Sequence, residues 1–200
     1  MVEQRADGRT SISETELNTD QIITTIMEGE PLFTGKSDFQ DVTICNNKWW
    51  GTCLFLDNVL NVATRDEFIY HEMICNIPMM MHANPQRVLI IGGGDGGSAR
   101  ECMKHQPLEK LVMIDIDGVV VRECEKHMPS LSDGAFQDKR MELIIGDGID
   151  YVMKAADNSF DVIIVDSTDP IPDSCGEVLF TEEFYKHCNR IMSADGVIIT

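Results

Sequence analysis

The stretch Arg87-Val88-Leu89-Ile90-Ile91-Gly92-Gly93-Gly94-Asp95-Gly96-Gly97-Ser98 decides how this chain folds. Its first part is a short apolar run rich in β-branched residues, the pattern of a buried strand. Gly92, Gly93, Gly94, Gly96 and Gly97 follow, interrupted only by Asp95, and a helix is predicted over residues 98–105. Strand, glycine turn and helix in that order open a βαβ unit. Glycine lets the backbone turn sharply and approach a ligand closely.

The alternation continues downstream. Strands are predicted over residues 111–114, 141–145 and 162–165, helices near 119–127 and 181–192, and a further strand starts at 197. This pattern predicts an α/β fold whose parallel sheet carries helices on both faces. Right-handed crossovers bring the strands' carboxyl ends to one edge, where ligands bind. The chain stops inside Val197-Ile198-Ile199-Thr200, an apolar β-like run. Residues 65–200 are therefore expected to form a domain truncated at its C-terminus, and the 200-residue chain to be inactive or nearly so.

Upstream the pattern changes. Val42-Thr43-Ile44, a turn at Asn46-Asn47, the run from Trp49 to Leu56, a turn at Asp57-Asn58 and the run Val59 to Ala63 predict an antiparallel meander. Asp66 is expected to cap a helix through Ile77, with Phe68, Ile69, Met73 and Ile77 available for burial. Residues 1–20 are rich in Glu, Asp, Thr and Ser and read as a mobile polar tail. Residues 21–64 then form a small β domain.

Composition narrows the function. Sixteen basic against 34 acidic residues leave a net charge of −18. That argues against nucleic acid and anionic membrane as partners and is compatible with cationic ligands such as polyamines, although plain solubility explains it as well. The seven cysteines, at 45, 53, 75, 102, 124, 175 and 188, show no CxxC pair and no metal or disulfide spacing. Residues 1–21 lack the apolar core of a signal peptide, and no apolar run approaches the roughly 20 residues that span a bilayer. A cytoplasmic protein with reduced thiols and no bound metal is expected.

Four acidic signals sit at successive strand ends. Asp95 lies at the mouth of a helix N-terminus, where it repels the phosphate that such a site otherwise attracts. This disfavours a dinucleotide dehydrogenase and suits a ligand with a positive group, such as a sulfonium nucleoside with an amino tail. Asp115 ends the second strand, twenty residues beyond Asp95, where an acid commonly accepts hydrogen bonds from ribose hydroxyls. Asp117 has helix capping as its plain alternative. In Gly146-Asp147-Gly148 a short acid between glycines can reach an adenine amino group, or can simply make a turn. In Val165-Asp166-Ser167-Thr168-Asp169-Pro170 one carboxylate can take a proton from an attacking amine and the second can hold another ammonium, although Asp169-Pro170 also reads as a turn.

Gly92–Gly97, the segment Arg65-Asp66-Glu67-Phe68-Ile69-Tyr70-His71-Glu72-Met73 and the run Asp166-Ser167-Thr168-Asp169-Pro170 together resemble the polyamine aminopropyltransferases, most of all spermidine synthases. The similarity runs from about Ser37 to Thr200. It implies a Rossmann-like methyltransferase-type parallel sheet behind a small N-terminal antiparallel β domain, assembled as a homodimer. It implies that Gln40, His71, Asp95, Asp115, Asp147 and Gly148 bind decarboxylated S-adenosylmethionine, a co-substrate. Tyr70, Asp166 and Asp169 would hold putrescine, with Asp166 as proton acceptor, and no metal or redox cofactor would be needed. Without the resemblance, Tyr70 reads as a core aromatic, His71 as an ordinary histidine and Gln40 as a polar residue before a strand.

Three departures accompany the likeness. Residues 1–36 carry no recognisable aromatic-rich segment, Ile171-Pro172-Asp173-Ser174-Cys175-Gly176 replaces the family's Gly-Pro-Ala loop, and the family continues beyond residue 200. A thermospermine- or spermine-type enzyme, an S-adenosylmethionine-dependent N-methyltransferase and a non-catalytic homologue are the alternatives. Asp95 argues against the methyltransferase, and the presence of Asp166 and Tyr70 against the non-catalytic homologue.

Overall fold

A computed structural model describes residues 2–15, 22–168 and 176–200. Three sheets follow one another along the chain. The first is an antiparallel meander of β1 (Val2–Gln4), β2 (Thr10–Thr15) and β3 (Ile22–Ile26). The expectation of a mobile polar tail over residues 1–20 is therefore corrected for 2–15. Ser and Thr occupy much of β2, so the sequence offers only one large apolar side chain there. That side chain, Ile12, is 1% exposed and packs with Met27, Cys45, Cys53, Phe55 and Ala63. Glu14 Oε2 also accepts the Leu60 amide proton at 2.8 Å and ties the first sheet to the second.

The second sheet runs β4 (Phe33–Lys36), β5 (Asp41–Asn47), β6 (Gly51–Leu56) and β7 (Val59–Ala63), all antiparallel. Leu56 pairs with Val59 across Asp57 and Asn58, whose φ values are 49° and 69°. Two left-handed residues in a two-residue loop match the right-handed twist of the strands. The predicted meander is present, with β4 added on its edge.

The helix predicted from Asp66 runs as α1 (Glu67–Met81). Asp66 stands at its N-cap position, but its side chain caps nothing. The buried face is corrected too. Phe68, Ile69, Met73 and Ile77 are 48, 61, 57 and 38% exposed, while His71, Ile74, Cys75, Pro78 and Met79 face inward. The helix is apolar on both sides, so periodicity could not choose between them. The inward stripe begins with Glu67 and His71 because a polar site lies beneath its first turns.

The third sheet is parallel, with order β10-β9-β8-β11-β12. The chain passes through β8 (Arg87–Gly92), α2 (Gly97–Met103), β9 (Lys110–Asp115), α3 (Gly118–His127), α4 (Pro129–Ser132), β10 (Met141–Ile145), α5 (Gly148–Lys154), β11 (Phe160–Asp166), α6 (Glu182–Ile191) and β12 (Met192–Ile199). Alternate strand residues serve opposite faces. Val88, Ile90, Leu111, Met113, Val162 and Ile164 pack toward α1 and α2, while Leu89, Ile91, Val112, Ile114, Ile163 and Val165 pack toward α5 and α6. A third cluster joins Val42, Ile44, Leu54 and Val62 of the β domain to Val120, Cys124, Met128 and Leu131. The strand order reverses at β8: the chain steps outward to β9 and β10, then returns to β11 on the other side. The crevice above β8 and β11 is the position where such sheets bind ligands.

Among the described residues no helix is long and apolar enough to cross a membrane. Cys45, Cys53, Cys75, Cys102, Cys124 and Cys188 are free and buried. Replacing Ile12 by alanine removes a fully packed side chain and should cost about 2–5 kcal/mol of unfolding free energy. Urea unfolding of the Ile12→Ala variant measures it; a loss near zero would return residues 2–15 to a loosely attached segment.

Candidate active site

The glycine loop and the end of β11 make one close contact. Gly92 pairs with Asp166 across the sheet, and the Gly93 amide donates to the Asp166 carbonyl at 2.8 Å. A Cβ on Gly92, whose φ is +87°, would lie 2.0 Å from that carbonyl oxygen. Only glycine allows both the φ and the approach. This contact places the Asp166 side chain directly beneath the loop that carries Asp95.

Asp166 is held from two sides. Its Oδ1 accepts from the Tyr70 hydroxyl at 2.7 Å, and its Oδ2 from Ser98 Oγ at 2.6 Å. Burial raises its pKa, with the charge of Asp95 adding to the effect. Desolvation and the Asp166 charge push the Tyr70 phenol up as well, so it remains a donor. Tyr70 is 49% exposed on the crevice rim, not the core aromatic that its sequence suggests without the family.

His71 is 1% exposed. Its Nδ1 lies 2.6 Å from Glu67 Oε2 and its Nε2 3.4 Å from Asp95 Oδ1. Burial pulls the imidazole down, but Asp95, Asp166 and Glu67 outweigh it and raise the pKa to about 9. At neutral pH the ring is an imidazolium between carboxylates. A Cβ on Gly97 would lie 2.3 Å from the ring, so the last glycine of the loop leaves room for this histidine. Asp95 Oδ1 also accepts the Gly97 amide proton at 2.7 Å, which fixes the loop's entry into α2.

The remaining acids line the same edge. Asp115 Oδ1 accepts the Asp117 amide proton at 2.7 Å. Burial raises Asp115 to about 6, with Asp117 and Asp95 adding to the shift against backbone donors from Asp117 and Gly94. Asp147 caps α5 through the Ile149 amide at 2.8 Å, as its turn reading requires. The Gly146 amide donates to the Asp115 carbonyl at 2.9 Å and brings that turn beside Asp115. Gly148, the first residue of α5, packs over Ile91, where a Cβ would lie 2.6 Å from Cγ2. Asp117 is the N-cap of α3, and its Oδ2 accepts from Ser37 Oγ at 2.6 Å and Gln40 Nε2 at 2.9 Å. Gln40 thus reaches the crevice edge through Asp117. Asp169 and residues 171–175 lie outside the described residues.

The crevice therefore collects Asp95 and Asp166 beside one buried cation, with Asp115 further along the same edge, an arrangement that favours a positively charged ligand and contains a carboxylate able to keep a proton. Among the described residues no group of three or more His, Cys, Asp or Glu side chains could hold a metal ion. Sequence reading missed Ser98, Glu67, Arg100 and Ser37. Glu67 had a signal, its position four residues before His71 on one helix face. Ser98 and Ser37 had none beyond a polar side chain at an element boundary.

The spermine/spermidine synthase domain matches residues 67–200. The chain belongs to that family. The spermidine synthase tetramerisation domain matches residues 14–64. The polyamine aminopropyltransferase of Ruegeria sp. is 45% identical over 186 residues, which are 93% of this chain and 64% of the relative. Polyamine aminopropyltransferase 1 of Pseudomonas aeruginosa is 46% identical over 165 residues, 82% and 57% of the two chains. A spermidine synthase crystallised with the transition-state analogue AdoDATO superposes with a TM-score of 0.90 at 39% identity, covering 99% of this chain and 66% of that one. Spermidine synthase from Thermotoga maritima gives 0.84 at 38% identity, covering 94% and 61%. The chain thus spans less than two thirds of the length of these relatives.

In this member of the spermine/spermidine synthase family, His71 links pH to stability. A histidine raised on folding stabilises fully below its unfolded pKa of about 6.5, and the effect is lost as pH rises through the folded value of about 9. The gap in unfolding free energy between wild type and His71→Gln should shrink by about 3 kcal/mol across that window. Urea unfolding of both proteins at several pH values checks it, and a gap independent of pH would mean an uncharged ring.

Proposed function

We propose that the protein carrying this chain transfers an aminopropyl group from decarboxylated S-adenosylmethionine to putrescine, giving spermidine and methylthioadenosine. One observation carries the reading: Asp166, desolvated and held by Tyr70 and Ser98 at the strand switch point, stands beside the Asp95–His71 pair in a family of aminopropyl-transferring relatives. A putrescine nitrogen attacks the aminopropyl carbon next to sulfur. The C–N bond forms as the C–S bond breaks, the electron pair passes to the sulfonium, and neutral methylthioadenosine leaves. The proton lost by the amine goes to Asp166. The sulfonium supplies the driving force, so the reaction calls for no metal or redox cofactor. The protein contributes orientation and a dry acidic site.

In this reading Asp115 and Asp147 hold the ribose and adenine, with Gln40 and Gly148 at the same end, and Asp95 faces the amino tail with His71 paired behind it. Tyr70 and Asp169 hold putrescine. Ordinary S-adenosylmethionine would bring a carboxylate toward Asp95, and like-charge contact disfavours it. The match over residues 14–64 supports assembly of several copies, with a dimer as the smallest unit. The acidic surface fits a cytoplasmic enzyme of cationic substrates.

The decisive assay presents the full-length protein with the decarboxylated donor and a panel of diamines and longer polyamines. Preference for a longer acceptor would move the assignment to a spermine or thermospermine type, and methyl transfer from the ordinary donor would overturn it. In Asp166→Asn, kcat should fall about 10²–10⁴-fold, the usual contribution of a general base, with partial recovery at high pH where more amine is neutral. Near-normal kcat at neutral pH would remove Asp166 from that role. Asp95→Ala should cost on the order of 1.5–3 kcal/mol of donor affinity and far less for methylthioadenosine, which lacks the amino tail. Calorimetry with both ligands tests this; equal losses would leave Asp95 a loop-forming role.

A further inference from the structure

The site has a support behind it that does not face the crevice. Arg100, on α2, donates from Nη1 to Glu67 Oε1 at 3.0 Å and from Nη2 to Glu67 Oε2 at 2.8 Å. The guanidinium is itself fixed, by the Leu131 carbonyl at 2.9 Å, the Ser130 carbonyl at 3.2 Å and Glu101 Oε1 at 2.9 Å. Both side chains are nearly buried, Arg100 at 13% and Glu67 at 10% exposure. Glu67 Oε2 then meets His71 Nδ1 at 2.6 Å, and the far ring nitrogen meets Asp95 at 3.4 Å. Four side chains of alternating charge thus run from the backbone of α4 to the carboxylate at the crevice.

We propose that Glu67 is a positioning residue for aminopropyl transfer: clamped by Arg100, it fixes the His71 ring so that Asp95 is held in one orientation toward the amino tail of the donor. The inference rests on the proposed function of the site. Glu67 needs no contact with substrate to act. A bidentate guanidinium–carboxylate pair sets both planes, and the short contact to Nδ1 sets the ring. The His71 ring lies against Gly97, where even a Cβ would sit 2.3 Å from it. The groups facing His71 are Glu67 and Tyr70 from α1, Asp95 from the glycine loop and Asp166 from β11. Glu67 meets the ring nitrogen opposite the one that meets Asp95, so removing its charge leaves the crevice acids in place.

The test compares wild type, Glu67→Gln and Glu67→Asp in the full-length protein. The His71 ring is followed by NMR titration without ligand, and affinities are measured for the decarboxylated donor and for methylthioadenosine. In Glu67→Gln the His71 midpoint should fall by about one pH unit or more, because a charged partner is lost. Donor affinity should fall about tenfold while methylthioadenosine affinity stays within about twofold. Glu67→Asp should recover part of both effects, since the charge remains one methylene further back. An unchanged His71 midpoint, or equal losses for the two ligands, overturns the role of Glu67. If Glu67→Gln fails to bind methylthioadenosine at all, Glu67→Asp decides, and wild-type donor affinity in that variant also overturns it. A wild-type protein that transfers no aminopropyl group from the decarboxylated donor refutes the functional reading instead, and the His71 midpoint still reports on the clamp.

Discussion

A carbonyl oxygen at the end of β11 and an α-carbon without a side chain at the end of β8 set the distances on which the site depends. Gly92 approaches Asp166 so closely that a methyl group would overlap its carbonyl. The contact joins the two strands at which the chain reverses direction across the sheet. Because the loop leaves β8 at this point, Asp95 is carried over Asp166, and α2 begins where Ser98 can reach the Asp166 carboxylate. A bulkier residue at 92 would separate the strands and the two acids together.

That closeness creates an electrostatic problem with a local solution. Asp95 and Asp166 repel, and burial penalises Asp166 further. The fold answers with one imidazolium, kept charged in a buried place by acids on more than one side. A cation arriving from solvent finds an acidic cleft that is already partly neutralised from behind. Such a cleft is less costly to fold than bare carboxylates, yet retains attraction for an amine.

The parallel domain was legible in the sequence because its strands are apolar throughout and its acids stand at strand ends. Glycine spacing located the loop, and Asp115, Asp147 and Asp166 came to one edge as the alternation required. The N-terminal strands were not legible. Ile12 is a lone apolar residue among Ser and Thr, and its burial depends on a sheet formed thirty or more residues later. The inward face of α1 was misjudged because Phe68, Ile69, Met73 and Ile77 satisfy helical periodicity as well as the true stripe does. Hydrophobicity cannot identify a face whose upper turns are polar for the sake of a site. His71 and Tyr70 stood out only through family likeness, since their meaning lies in partners distant along the chain.

Asp117 has a mechanical consequence. One of its oxygens caps α3, and the other receives Ser37 and Gln40 from the loop before β5. The covalent link between the two domains is the short segment from Ala63 to Glu67, which by itself would permit a hinge. Swinging the β domain about that hinge would pull Ser37 and Gln40 from Asp117 and strip the hydrophobic contact of Val42, Ile44 and Leu54 with α3. The Asp117 amide also holds the Asp115 carboxylate. Domain orientation and the aim of Asp115 are therefore geared through one residue, and the crevice keeps its shape only while the two domains move as a single lever.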